Sequence, residues 1–71
     1  RRGIATRLLR EVEERLRRRG AVECYLEVRT DNEAAIRLYE KLGYERVGVM
    51  RDYYGPGRHA YLMVKDLRNT P

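Results

Sequence analysis

Gly20 divides two periodicities that cannot belong to one element. Before it, Ile4, Leu8, Leu9, Val12 and Leu16 recur at helical spacing over residues 4–19. After it, "AVECYLEV" sets Val22, Cys24, Leu26 and Val28 against Glu23, Tyr25, Glu27 and Arg29, the period-two pattern of a strand with one buried face. Glycine is the residue that a left-handed helix terminus favours, so the segment reads as helix, cap, strand. A helix feeding a strand is the second half of a β-α-β crossover, which calls for an earlier strand parallel to residues 22–28. The chain opens on Arg1, and "RRGIATRLL" is helical in pattern from the outset. The expectation is therefore the C-terminal part of a longer domain, its preceding parallel strand and N-terminal half missing.

The remaining elements follow from the same rules. Thr30 and Glu33 fit a capping box, with Asp31 and Asn32 as further cap residues, and Ala35, Ile36, Leu38, Tyr39 and Leu42 continue at helical spacing to Gly43. "YERVGVMR" and "HAYLMVKDL" read as strands separated by the loop "DYYGPGR", whose length predicts a wide antiparallel hairpin. The order is α-β-α-β-β, and the class is α/β with an antiparallel end to the sheet. At 71 residues the chain holds one core at most, so residues 1–71 form part of a single domain.

Charge is unevenly placed. The net +5 resides in residues 1–20, with eight Arg against three Glu, whereas the rest balances eight basic and eight acidic side chains. Glu11–Arg15, Glu13–Arg17 and Glu14–Arg18 are favourable i,i+4 pairs, so Arg15, Arg17, Arg18 and Arg19 read as a solvated helix face. With little aromatic interleaving, a nucleic-acid interface is the disfavoured reading of this cluster. Cys24 is the sole cysteine, excludes an internal disulfide, and reads as a buried structural thiol. No apolar run reaches the eighteen or so residues of a membrane helix and no signal-peptide pattern is present; the expected setting is cytoplasmic.

Two stretches carry chemistry. "RRGIAT" opens the first helix, where unpaired backbone N–H groups and the helix dipole favour phosphate and Gly3 lets a ligand approach. Asn32 and Tyr39 are seven residues apart, placing them on one helix face roughly 10 Å apart along the axis at about 1.5 Å per residue. By spacing alone Asn32 is a helix cap or a ligand contact, and Tyr39 a core aromatic or a site residue. His59 has a structural reading, and Arg37 and Lys41 read as solvated helix face ahead of a phosphate contact.

Taken together, "RRGIATRLL", "LEVRTDNEAAIRLYEKLGYERVG" and "DYYGPGRHAYLMVKDL" resemble the C-terminal half of a GNAT-superfamily acetyltransferase. The resemblance runs to about residue 67 and is closest to ribosomal-protein-alanine and other protein N-terminal (Nα) acetyltransferases. It implies a GNAT-like mixed sheet and acetyl-CoA as co-substrate, with no metal. The family's phosphate loop, (Q/R)-x-x-G-x-(G/A), is matched by Gly3 and Ala5, its first position falling before Arg1. The match implies that Arg1, Arg2, Gly3, Ile4, Ala5 and Thr6 hold the pyrophosphate and that Asn32 contacts the pantetheine arm. It also implies Glu27 as general base, Tyr39 as general acid, and Tyr53 and Tyr54 against the substrate.

The implied chemistry is sound on its own terms. A protein α-amine, with a pKa of about 7.7–8.0, must shed a proton before attacking a thioester, and a carboxylate can take it. The departing thiolate, whose conjugate acid has a pKa of about 8.5, can be protonated by a tyrosine held close. Cys24 then has no covalent part. The implied partner is a protein or peptide N-terminus, such as that of a ribosomal protein. The rival readings are a small amine or a lysine side chain as acceptor, and a non-catalytic basic binding module; self-association of the chain is a further expected partnership.

Overall fold

The computed structural model describes residues 2–68, and for Arg2, Ile4 and Ala5 the description is of the backbone. In chain order the elements are α1 (Arg2–Arg18), β1 (Glu23–Arg29), α2 (Glu33–Lys41), β2 (Glu45–Gly55) and β3 (Arg58–Asp66). The α-β-α-β-β order is the one expected. The three strands form one sheet in the order β1-β3-β2. β2 and β3 are antiparallel. β1 and β3 also run oppositely: the Leu67 N–H donates to the Val22 carbonyl at one end and the Thr30 N–H to the His59 carbonyl at the other.

Two compact units divide the chain, residues 1–24 with 66–71, and residues 25–65. In the first, α1 ends on a Schellman cap. The Ala21 N–H reaches the Leu16 carbonyl at 2.9 Å and the Gly20 N–H reaches Arg17 at 3.0 Å, with Gly20 at φ 86°. The Arg17 guanidinium also donates to the Leu67 carbonyl, and Leu67 and Cys24 are buried. The expected buried thiol is thus borne out.

The apolar stripe of α1 is only partly covered. Leu8 and Val12 are 58% and 48% exposed, whereas Glu13 is 4% exposed. Leu9, Glu13 and Leu16 share a helix face at i, i+4, i+7, and that is the covered one. Glu13 is therefore not on the solvated face where charge pairing placed it. No ion pair joins Glu11 to Arg15 among the described residues; Glu14 instead takes both Arg17, at 2.7 Å, and the expected Arg18, at 3.3 Å. Val22 precedes β1 and is exposed, so the buried face of that strand consists of Cys24 and Val28 with Leu26 half-buried.

In the second unit the core comprises Val28, Ile36, Tyr44, Ala60 and Met63. Met63 is fully buried, which contributes about 1.5–3 kcal/mol for a side chain of its size. α2 places its one buried side chain, Ile36, between Asn32 and Tyr39 in sequence. The hairpin departs from expectation. β2 continues to Gly55 and pairs it with Arg58, so the turn is tight, and Tyr53 and Tyr54 lie within β2 at an irregularity between Met50 and Gly55 rather than in a wide loop.

Candidate active site

Glu27 lies near the end of β1, on the exposed side that alternates with Cys24 and Val28. Its carboxylate has no ion-pair or hydrogen-bond partner among the described residues, which leaves both oxygens open as acceptors. Two residues on, Arg29 forks onto Asp31 with contacts of 3.2 and 3.0 Å, stiffening the turn into α2.

Asn32, and not Thr30, is the N-cap of α2. Its Oδ1 accepts the Ala35 N–H at 3.2 Å, and its own carbonyl accepts the Ile36 N–H. Capping consumes the oxygen and leaves the side-chain NH2, a double donor, uncommitted. The cap and ligand readings of Asn32 are therefore compatible: one atom serves the helix while the other faces outward.

Tyr39 is half-buried. Its ring meets Tyr44 edge-to-face at 6.1 Å, and Tyr44 in turn lies under the Lys65 ammonium at 5.8 Å. The Tyr39 hydroxyl has no hydrogen-bond partner among the described residues. Packing thus fixes the ring while leaving the phenol free to donate. Asn32 and Tyr39 remain two helical turns apart on α2, as the spacing predicts.

Tyr53 and Tyr54 meet edge-to-face with centroids 4.9 Å apart and are 51% and 42% exposed. They are displayed rather than packed into the sheet. The residue that sequence reasoning underrated is His59. Its carbonyl accepts the Thr30 N–H at 3.1 Å, and its ring accepts the backbone N–H of Asp52, next to Tyr53, at 3.0 Å. The only sequence signal for this contact was an Asp, a residue tolerant of left-handed backbone, immediately before the two tyrosines.

In the other unit, Gly3 and Thr6 lie in the opening turns of α1, with Arg2, Ile4 and Ala5 beside them in the backbone; Arg1 lies outside the described residues. A Cβ at Gly3 would meet nothing within 4 Å. The glycine therefore opens onto space that a ligand can enter, at a helix start whose first N–H groups lack intrahelical acceptors. Among the described residues no group of three His, Cys, Asp or Glu could hold a metal. No described helix is long and apolar enough to cross a membrane.

One unit thus presents a strand with a free carboxylate and a capped helix with an amide and a phenol on one face, and the other a glycine-bearing helix start. The sequence model of the Acetyltransferase (GNAT) family matches residues 1–44, and the chain belongs to that family. The N-alpha-acetyltransferase RimI of Mycobacterium tuberculosis is 53% identical over 66 residues, covering 92% of this chain and 40% of the relative. Among solved structures, the ribosomal-protein-S18-alanine N-acetyltransferase of Escherichia coli aligns with TM-score 0.80 and 35% identity, over 94% of this chain and 45% of that one. The NatC complex bound to Gag peptide and CoA aligns with TM-score 0.82 and 31% identity, over 90% of this chain and 40% of that one. An aminoglycoside 6'-acetyltransferase type Ii aligns with TM-score 0.80 and 34% identity, over 99% of this chain and 46% of that one. The chain thus spans about 40% of the length of the curated relative.

Proposed function

We propose that this chain supplies the catalytic half of an acetyl-CoA-dependent Nα-acetyltransferase acting on protein N-termini in the cytoplasm. The observation that carries the reading is the division of labour on and before α2. Glu27 is an unpaired carboxylate, Asn32 keeps a free amide donor after capping, and Tyr39 keeps a free hydroxyl on a packed ring. The likeness to relatives named for N-terminal and ribosomal-protein-alanine acetylation supports the choice of acceptor.

In this reading Arg1, Arg2, Gly3, Ile4, Ala5 and Thr6 hold the pyrophosphate of acetyl-CoA, and the Asn32 amide donates to its pantetheine arm. Glu27 takes a proton from the substrate ammonium, directly or through water, and the freed amine attacks the thioester carbonyl. The C–N bond forms and the C–S bond breaks. Tyr39 gives its hydroxyl proton to the departing thiolate and regains one as the new amide nitrogen loses its second proton. Tyr53 and Tyr54 hold the first residues of the peptide.

The test is acetyl transfer to short peptides with free or blocked N-termini. It is run on the chain itself and on the chain completed at its N-terminal side with the corresponding part of a relative. Acetylation confined to free N-termini is the expected outcome; equal rates on both peptides would sink the α-amine assignment. A small amine such as an aminoglycoside, the acceptor named for one structural neighbour, is assayed alongside, and transfer to it in preference to every peptide would replace the proposal.

A further inference from the structure

β2 and β3 pair regularly up to Met50 opposite Ala60 and again at Gly55 opposite Arg58. Between these anchors β2 carries four residues, Arg51, Asp52, Tyr53 and Tyr54, and β3 carries one, His59. A bulge this large deprives backbone N–H groups of ladder partners, and each needs another acceptor or water. For Asp52 the acceptor is the His59 imidazole, with Nδ1 3.0 Å from the Asp52 nitrogen. Asp52 stands at φ 57°, and its carboxylate accepts the Gly57 N–H at 2.7 Å, tying the bulge to the turn. Tyr53 and Tyr54 follow at once, exposed and stacked edge-to-face.

His59 also faces the other way. Its carbonyl accepts the Thr30 N–H at 3.1 Å, in the segment that joins Glu27 to Asn32. One residue thus bonds by its backbone to the β1–α2 turn and by its ring to the bulge that displays the tyrosines.

We propose that His59 is a positioning residue, whose Nδ1, by accepting the Asp52 N–H, sets where Tyr53 and Tyr54 stand relative to the Glu27–Asn32 segment and so shapes the peptide site. This rests on the peptide-binding reading above. An accepting Nδ1 requires the neutral ring to carry its proton on Nε2. It also requires an acceptor at that position and not merely a ring of that size. Asn supplies an oxygen near the place of Nδ1, whereas Phe fills the space with no acceptor.

The first measurement is nitrogen NMR of the His59 ring in the full 71-residue chain at a pH where it is neutral. A proton on Nε2 with Nδ1 bare is expected; a proton on Nδ1 overturns the proposal without any variant. In His59→Phe the Asp52 amide should lose its exchange protection and the mutual ring-current shifts of Tyr53 and Tyr54 should collapse, while signals from β2 before the bulge hold. His59→Asn should restore both. Unchanged Asp52 and tyrosine signals in His59→Phe, or failure of Asn to rescue, overturn the role of the acceptor whatever the substrate is. In the completed domain, His59→Phe should raise the peptide KM about fivefold with kcat nearly unchanged, the effect of one lost neutral hydrogen bond. If the tyrosines move and the peptide KM does not, the control of the peptide site is overturned while the His59–Asp52 bond stands.

Discussion

The carbonyl of Tyr39 accepts the backbone N–H of Tyr44 at 2.9 Å while the two rings meet edge-to-face at 6.1 Å. The first contact is half of a Schellman cap, completed by the Gly43 N–H on the Glu40 carbonyl. The end of α2 and the orientation of the proposed acid are therefore one piece of structure. Gly43 makes it possible by standing at φ 101°.

Gly43→Ala should accordingly destabilise the fold by about 1–2 kcal/mol, the cost of left-handed backbone for a residue with a Cβ. The new methyl would lie 3.3 Å from the Lys65 Cε, the far end of a flexible side chain that can yield, so backbone strain and not collision sets the magnitude. The shift of the denaturant midpoint at constant slope measures it. No loss of stability would mean that the cap does not need its left-handed residue.

Gly3→Ala should separate folding from ligand binding. At Gly3 the backbone is helical and a Cβ meets nothing, so alanine should be neutral or stabilising by up to about 1 kcal/mol. If the helix start takes pyrophosphate, the same methyl stands in the ligand's way and weakens CoA binding. Calorimetry on the completed domain, beside thermal melts, reads the two effects; unchanged CoA affinity would remove Gly3 from the cofactor site.

Asn32 has two jobs on two atoms, and two variants divide them. Asn32→Asp retains an oxygen for the Ala35 N–H and should keep stability, but it loses the amide donor and should weaken CoA binding. Asn32→Ala loses both and should cost about 1 kcal/mol of stability as well. Equal CoA affinity in the Asp variant and the parent would reduce Asn32 to a cap.

For the proposed proton transfers, Glu27→Gln should lower turnover by roughly 10²–10⁴-fold with CoA affinity nearly constant, the range for loss of a positioned base. Tyr39→Phe should keep the contact with Tyr44 and the Schellman cap, because neither uses the hydroxyl, and still cut turnover. Steady-state rates on a free-N-terminus peptide decide both. Full activity in the Phe variant would leave Tyr39 as packing alone.

What the sequence made legible, and what it hid, follows from the range of the forces involved. The order of elements, both glycine-terminated helices and the face shared by Asn32 and Tyr39 are local matters of periodicity and capping, and they read correctly. The capping-box pattern points to Thr30, whereas intrinsic cap preference ranks Asn above Thr and α2 is capped by Asn32. β3 between β1 and β2 is a pairing of distant segments, and the four-to-one bulge opposite His59 depends on that register. Tyr53 and Tyr54 therefore read as loop residues although they lie in a strand. Glu13 was hidden for another reason: its charge marks a surface position by composition, while its place between Leu9 and Leu16 marks a covered one.

The end of β3 gives a prediction whose sign can be worked out. Asp66 accepts from the Arg68 side chain at 3.1 and 3.0 Å and from the Arg68 backbone N–H at 2.9 Å. These bonds, the side-chain ones foremost, hold its carboxyl below the ordinary value, and the same pairing raises the Arg68 guanidinium. A carboxylate with a lowered pKa in the folded state contributes stability above its unfolded value, about 3.9, and the contribution is lost as pH falls through the lower folded value. The pair is solvent-exposed, so its effect on the denaturant midpoint near neutrality should be close to nothing. In Arg68→Ala the Asp66 titration, followed by carboxyl NMR, should move upward toward the ordinary value. It should stop short of it, because the residue 68 N–H still donates. An Asp66 carboxyl titration unmoved by the substitution would show that the guanidinium does not hold Asp66 in solution.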